Sequence, residues 1–141
     1  MKKVSIIYWS NGGNVEILAS AIAESAEKQG AIVTIKHVQN ATIEDVTEAD
    51  AVAFGSPSMD NNKIEQHEME PFIKEFELLQ NDNKKLVLFG SYGWDDEQFM
   101  KDWVVRMKDY QFDVIANLAV KESPSDEELE IAKKLGEELT K

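Results

Sequence analysis

Short apolar runs alternate with longer stretches of helical spacing along the whole chain. The first run, Lys3 to Tyr8, carries Val4, Ile6 and Ile7. Behind it Ile17, Leu18, Ala21, Ile22 and Ser25 recur on one helical face, and Gly30 closes that helix. Further β-branched or apolar runs fall at Ala31 to Val38, Ala49 to Gly55, Lys85 to Gly90 and Phe112 to Val120. Between them, Glu68 to Gln80 puts Met69, Phe72, Ile73, Phe76 and Leu79 on one face. Gln98 to Tyr110 carries Phe99, Trp103, Arg106, Met107 and Tyr110, a mostly apolar set that also packs. A last helix starts at the capping box of Ser125 and Glu128 and runs on through Leu129, Ile131, Ala132 and Leu135. Strands that alternate with helices predict an α/β fold, a parallel sheet with helices on both faces. No repeat or low-complexity segment interrupts the pattern, so residues 1–141 read as a single domain.

Right-handed crossovers gather the loops at the carboxyl ends of parallel strands along one edge, where ligands bind. The unusual loops all follow strands: "SNGGN" the first, "SPSMDNNK" the third, "SYGWDDE" the fourth. In the first loop, Gly12 and Gly13 let the backbone turn sharply and present its N–H groups. The helix that follows adds the positive end of its dipole. Such a loop suits a phosphate, and Ser10, Asn11 and Asn14 add side-chain donors. An ordinary glycine turn with Asn14 as helix N-cap explains the same residues. In the other two loops, Met59 and Trp94 are apolar groups at positions expected to be polar. Together they can sandwich a flat aromatic ligand, the thioether adapting and the indole stacking.

Composition narrows the chemistry. The chain has no cysteine, hence no disulfide and no thiolate nucleophile, so redox work needs a bound cofactor. A net charge of −12 disfavours nucleic acid and anionic membranes and favours basic protein partners. No apolar run approaches the roughly 20 residues of a membrane span, and Met1-Lys2-Lys3 begins no signal peptide, so a cytoplasmic location is expected. The P-loop and dinucleotide fingerprints are absent. Gly90-Ser91-Tyr92-Gly93 lacks the spacing of a serine elbow. Of the two histidines, His37 falls in the second strand. His67 stands among Glu65, Glu68 and Glu70, which read as a solvated acidic helix entry rather than a metal site.

The landmarks "YWSNGGNVE", "AFGSPSM", "MEPFIKE" and "LVLFGSYGW" stand in the order and spacing of flavodoxins, and the sequence resembles the short-chain type of anaerobic bacteria over nearly its whole length. The resemblance implies a flavodoxin-like doubly wound sheet of five parallel strands in the order 2-1-3-4-5. It implies non-covalent FMN and a monomeric, low-potential one-electron carrier, not an enzyme, that meets basic reductases and oxidases in transient complexes. Residue by residue, Ser10, Asn11, Gly12, Gly13, Asn14 and Val15 would hold the phosphate. Ser56, Pro57, Ser58, Met59, Asp60, Asn61 and Asn62 form the second cofactor loop, and Ser91, Tyr92, Gly93 and Trp94 the third. Met59 and Trp94 would flank the ring.

The sequence departs from the family pattern at named positions. Gly12 and Val15 stand where the phosphate loop of the family has hydroxyl donors, which at about 0.5–1.5 kcal/mol per hydrogen bond predicts weaker FMN binding by about one to two decades. Asp60 replaces a glycine at the peptide that, in the family, turns over to accept a bond from flavin N5–H after reduction. The turn is expected to survive, because Asn61 tolerates the positive φ it needs. Asn62 would offer its amide oxygen to flavin N3–H where a carboxylate is common. Asp60, Asp95 and Asp96 would oppose negative charge on the ring, and Glu122 stands where an asparagine is frequent. These departures motivate an alternative: a flavodoxin-like binding module with weakened or lost FMN affinity, acting through protein contacts. A quinone reductase would need a nicotinamide site that no fingerprint supports. A phosphorelay receiver would need an acidic acceptor closing the third strand, which here ends in Gly55-Ser56-Pro57.

Overall fold

The computed structural model describes residues 2–59 and 61–141. Five strands, β1 (Lys3–Tyr8), β2 (Ile32–His37), β3 (Ala51–Pro57), β4 (Lys84–Tyr92) and β5 (Phe112–Lys121), form one parallel sheet in the order β2-β1-β3-β4-β5. The central strands are buried on both faces, and the side-chain period of two divides their residues between two cores. Val4, Ile6, Ala51, Ala53, Val87 and Phe89 face α1 (Asn14–Lys28) and α5 (Asp126–Leu139). Ile7, Val52, Phe54, Leu86 and Leu88 face the other way, against Met69, Phe72, Ile73, Phe76, Phe99, Trp103 and Met107. Phe54, Phe72, Phe76 and Phe112 meet mostly edge to face at 5.3–6.1 Å between centroids, the geometry that aromatic quadrupoles favour.

The expected helix over 68–80 is α only across α3 (Met69–Lys74) and tightens into a 3₁₀ turn, Glu75–Leu78. α4 runs Gln98–Asp109, and the Ser125–Glu128 capping box opens α5. One helix escaped the periodicity, the short α2 (Ile43–Thr47). Its Thr42 hydroxyl accepts from the Asp45 N–H, and the Asp45 carboxylate accepts in return from the Thr42 N–H. Asp45 also pairs with Lys36 at 3.1 Å. Burial pushes the Asp45 carboxyl up, but the Thr42 amide and the Lys36 ammonium outweigh it and hold it below the ordinary carboxylate value. A depressed folded pKa stabilises the fold above the unfolded value, about pH 4, and that contribution disappears as the pH falls through the folded value. Asp45→Asn therefore costs about 1 kcal/mol at pH 7, and urea midpoints of variant and parent converge below pH 4.

α5 lies close on α1 because Gly136 has no side chain. A Cβ there would strike the carbonyl oxygen of Ile22 and the Cβ of Ser25. Ser25 uses the close approach, its hydroxyl donating to the Lys133 carbonyl at 2.5 Å. Among the described residues no helix is long and apolar enough to cross a membrane. The topology brings the loops after β1, β3, β4 and β5 to one edge of the sheet.

Candidate functional site

β1 hands the chain to the first loop in a fixed direction. The Trp9 N–H donates to the Gly55 carbonyl at 3.0 Å, and its indole N–H reaches the Glu68 carboxylate at 2.8 Å. The Ser10 N–H donates to Nε2 of His37 at 3.3 Å, so the end of β2 braces the loop as well. The Ser10 hydroxyl then accepts from the Gly13 N–H at 3.1 Å. Gly13, at φ 94°, is the N-cap of α1, a left-handed conformation that costs a residue with a Cβ about 1–2 kcal/mol. No side chain caps this helix, whose first bond runs from the Ile17 N–H to the Gly13 carbonyl at 3.0 Å. The amides of its first turn therefore have no partner within the helix and present a partial positive charge.

The second and third loops are joined to each other. The Ser58 N–H donates to the Ser91 carbonyl at 2.7 Å, and the Ser58 hydroxyl donates to the Asp95 carboxylate. The other oxygen of Asp95 accepts from the Gly93 N–H at 3.4 Å. Asp95 thus links the two loops. Within the second loop the Met59 N–H donates to the Lys63 carbonyl at 2.7 Å, and Asn61 and Asn62 both take positive φ, 63° and 58°. Asp60 lies outside the described residues.

The three loops and the turn after β5 enclose a cavity of about 270 Å³. Ser10, Asn11, Gly12, Asn14 and Val15 form one wall, Pro57, Ser58 and Met59 a second, and Ser91, Tyr92 and Gly93 a third. Trp9 and Glu122 complete it. The glycines divide by role. A Cβ on Gly12, Gly13 or Gly93 would meet nothing within 4 Å, whereas one on Gly55 or Gly90 would collide with Phe89 or with the Ser56 carbonyl and Phe99. Around the cavity, glycine leaves open space; inside the sheet it permits packing.

The remaining expected residues stand elsewhere. Gly13 backs the first wall as N-cap, the role that a plain-turn reading gives to Asn14. Ser56 is buried behind the second wall, its hydroxyl accepting from the Glu65 N–H at 2.9 Å and donating to the Pro57 carbonyl at 2.9 Å. Asn62 borders a neighbouring cavity with Ile64, Phe99, Trp103 and Arg106. Its Oδ1 is buried with no hydrogen-bond partner among the described residues. Asn61 does not line the first cavity, and Trp94 is fully exposed on the third loop.

The acidic helix entry is not a solvated face. Glu65 is only 2% exposed, and its carboxylate accepts from the amides of His67, Glu68 and Met69 at 2.7–2.8 Å. Glu68 takes the Trp9 indole, and Glu70 takes Arg106 through two bonds of 2.6 Å. Hydrogen bonding to Glu70 drives the Arg106 guanidinium pKa up against the effect of burial. Among the described residues no group of three or more His, Asp or Glu is arranged to hold a metal.

Chemically the cavity offers neutral donors along the wall that leads into α1, with Met59, Tyr92 and Gly93 among the residues of its other walls. None of its described lining residues is basic, and Glu122 is its one carboxylate. Beneath the first wall, burial and then the Glu16 carboxylate push the Tyr8 phenol up, so it stays protonated and donates to Glu16 at 3.1 Å. An uncapped helix N-terminus beside open glycines is suited to an anion such as a phosphate.

Comparison with known proteins gives the same direction. The flavodoxin family model matches residues 6–136. The chain is similar to a flavodoxin of Clostridium beijerinckii, 35% identical over 136 residues that cover 94% of this chain and 98% of that one. It is similar to a flavodoxin of Megasphaera elsdenii, 33% identical with 98% of each chain covered. The solution structure of two-electron reduced Megasphaera elsdenii flavodoxin superposes with a TM-score of 0.82 at 31% identity, covering 95% of this chain and 98% of that one.

Proposed function

The chain belongs to the flavodoxin family, and from that premise we propose how its own residues serve an FMN-binding electron carrier. Flavodoxins are electron-transfer proteins rather than enzymes, and this one carries electrons between proteins. Bound FMN supplies the reversible one-electron chemistry, which a chain without cysteine takes from a cofactor. Three loops meeting at one cavity, with an uncapped helix N-terminus on its wall, carry the assignment of the residues.

The phosphate rests on the amides of the first turn of α1. Ser10 uses its hydroxyl oxygen to hold the Gly13 N–H, which leaves its proton free to donate to a phosphate oxygen. Asn14 uses its amide oxygen to accept from Ser123 at 3.3 Å, which leaves its NH₂ as the donor. Val15 lines the cavity but contributes its amide alone, because its side chain carries no hydrogen-bonding group. Met59 covers the inner face of the ring and Trp94, free of packing partners, closes over the outer face. The carboxylates of Asp95 and Asp96 lie by the exposed edge and steer basic redox proteins toward it.

Titrating FMN with the purified protein is expected to quench flavin fluorescence to saturation, and stepwise reduction of the complex to proceed in two one-electron steps. Val15→Thr tightens FMN by about tenfold at most, the value of one hydrogen bond. No saturable quenching at micromolar protein would refute the assignment and leave the binding-module alternative.

A further inference from the structure

Glu122 is an unexpected side chain for the place it holds. It lines the cavity that receives a dianion, and no described lining residue carries a compensating positive charge. Its backbone is left-handed, φ 57°, a conformation that glycine and asparagine adopt at less cost than glutamate. The turn is pinned on both sides. The Glu122 N–H donates to the Tyr92 carbonyl at 2.7 Å, and the Ser123 hydroxyl donates to Oδ1 of Asn14 at 3.3 Å. The carboxylate therefore belongs to a turn fastened both to Tyr92 of the third wall and to the first residue of α1. Neither backbone preference nor packing calls for a glutamate here, since the side chain is exposed.

We propose that Glu122 sets the phosphate selectivity of the site. Its carboxylate opposes the dianionic phosphate of FMN and leaves uncharged riboflavin untouched, so the site discriminates less between phosphorylated and unphosphorylated flavin than its amide socket alone allows. This inference rests on the flavin reading of the cavity. The side chains of the socket reinforce it, because Gly12 and Val15 offer no hydroxyl to favour the phosphate. A carboxylate and a dianion across a solvated cavity repel enough to change affinity about three- to tenfold, and salt screens the effect.

The test compares FMN with riboflavin by fluorescence quenching, for the flavin-free full chain and its Glu122→Gln and Glu122→Asn variants, at 20 mM and 500 mM salt. Both variants remove the charge, and asparagine also relieves the backbone. At low salt each is expected to bind FMN about three- to tenfold more tightly and riboflavin within about twofold of the parent. The gain for FMN shrinks at high salt. Equal changes for both flavins, or a gain with Asn but not Gln, would assign the effect to the turn and overturn the proposal. So would unchanged FMN binding in both variants. Failure of either flavin to bind any of the three proteins would instead remove the flavin site itself, and this inference with it.

Discussion

Gly90→Ala is expected to lower the stability of the fold by about 3 kcal/mol, the upper end of what overpacking a core costs. Gly90 lies in β4, paired in register with Ser56 of β3. An added Cβ would strike the Ser56 carbonyl oxygen and stand 3.1 Å from the ring of Phe99. Neither neighbour can yield. The carbonyl is fixed by the central sheet, and Phe99 is 1% exposed within the core that covers this face of the sheet. The strain reaches the site, because the residues after Ser56 and after Gly90 form two of the cavity walls. FMN affinity is therefore expected to fall together with stability. Gly12→Ala is the control: its Cβ meets nothing within 4 Å, so stability stays within about 0.5 kcal/mol. Thermal unfolding separates the two, with a drop of about 10 °C for Gly90→Ala and almost none for Gly12→Ala. A Gly90 variant as stable as the parent would show that β3 and β4 can separate without cost.

How much of this was written in the sequence depended on the range of the interactions. The strands were legible because their signal is local: β1 has the bounds its apolar run predicts, and the others differ by a few residues at the ends. The meeting of three odd loops at one edge was legible because parallel crossovers allow little else. α2 was missed because its capping box closes with Asp45 rather than the usual glutamate or glutamine, and because five residues carry no period. The link from Asp95 to Ser58 joins residues 37 apart, and only the folded chain brings them together. His37 read as a strand residue and is one, yet its Nε2 braces Ser10 from β2, a contact no spacing rule reveals. Glu65 is the largest discrepancy. Three acidic positions close in sequence look like a solvated surface, and the local pattern cannot tell that the chain folds back over one of them.

Glu65→Gln is the second large effect, because the carboxylate accepts from three amides and a carboxamide cannot. Oε1 accepts from the Glu68 and Met69 N–H groups and Oε2 from that of His67, all within 2.8 Å. Glutamine keeps the size but turns one acceptor into a donor, so at least one buried amide faces an N–H and loses its partner. The remaining bonds lose their charge assistance. With bonds to a charged group worth about 1.5–3 kcal/mol each, the expected loss is about 3 kcal/mol. The functional consequence follows from what Glu65 closes. Its own N–H is bonded to the Ser56 hydroxyl, so Ser56 and Glu65 clamp the base of the loop that carries Pro57, Ser58 and Met59. The amides it holds start α3 at Met69 and set the direction of Glu68, which holds the indole of Trp9, the residue that leads into the first wall. One buried side chain thus organises two of the three walls, and its loss is expected to weaken FMN binding at least tenfold. Saturating FMN then returns part of the lost stability, since it binds only the ordered form. Urea unfolding with and without FMN measures both effects. A Glu65→Gln protein that unfolds within 0.5 kcal/mol of the parent would mean that water replaces the carboxylate, and the clamp would have to be sought elsewhere in the loop.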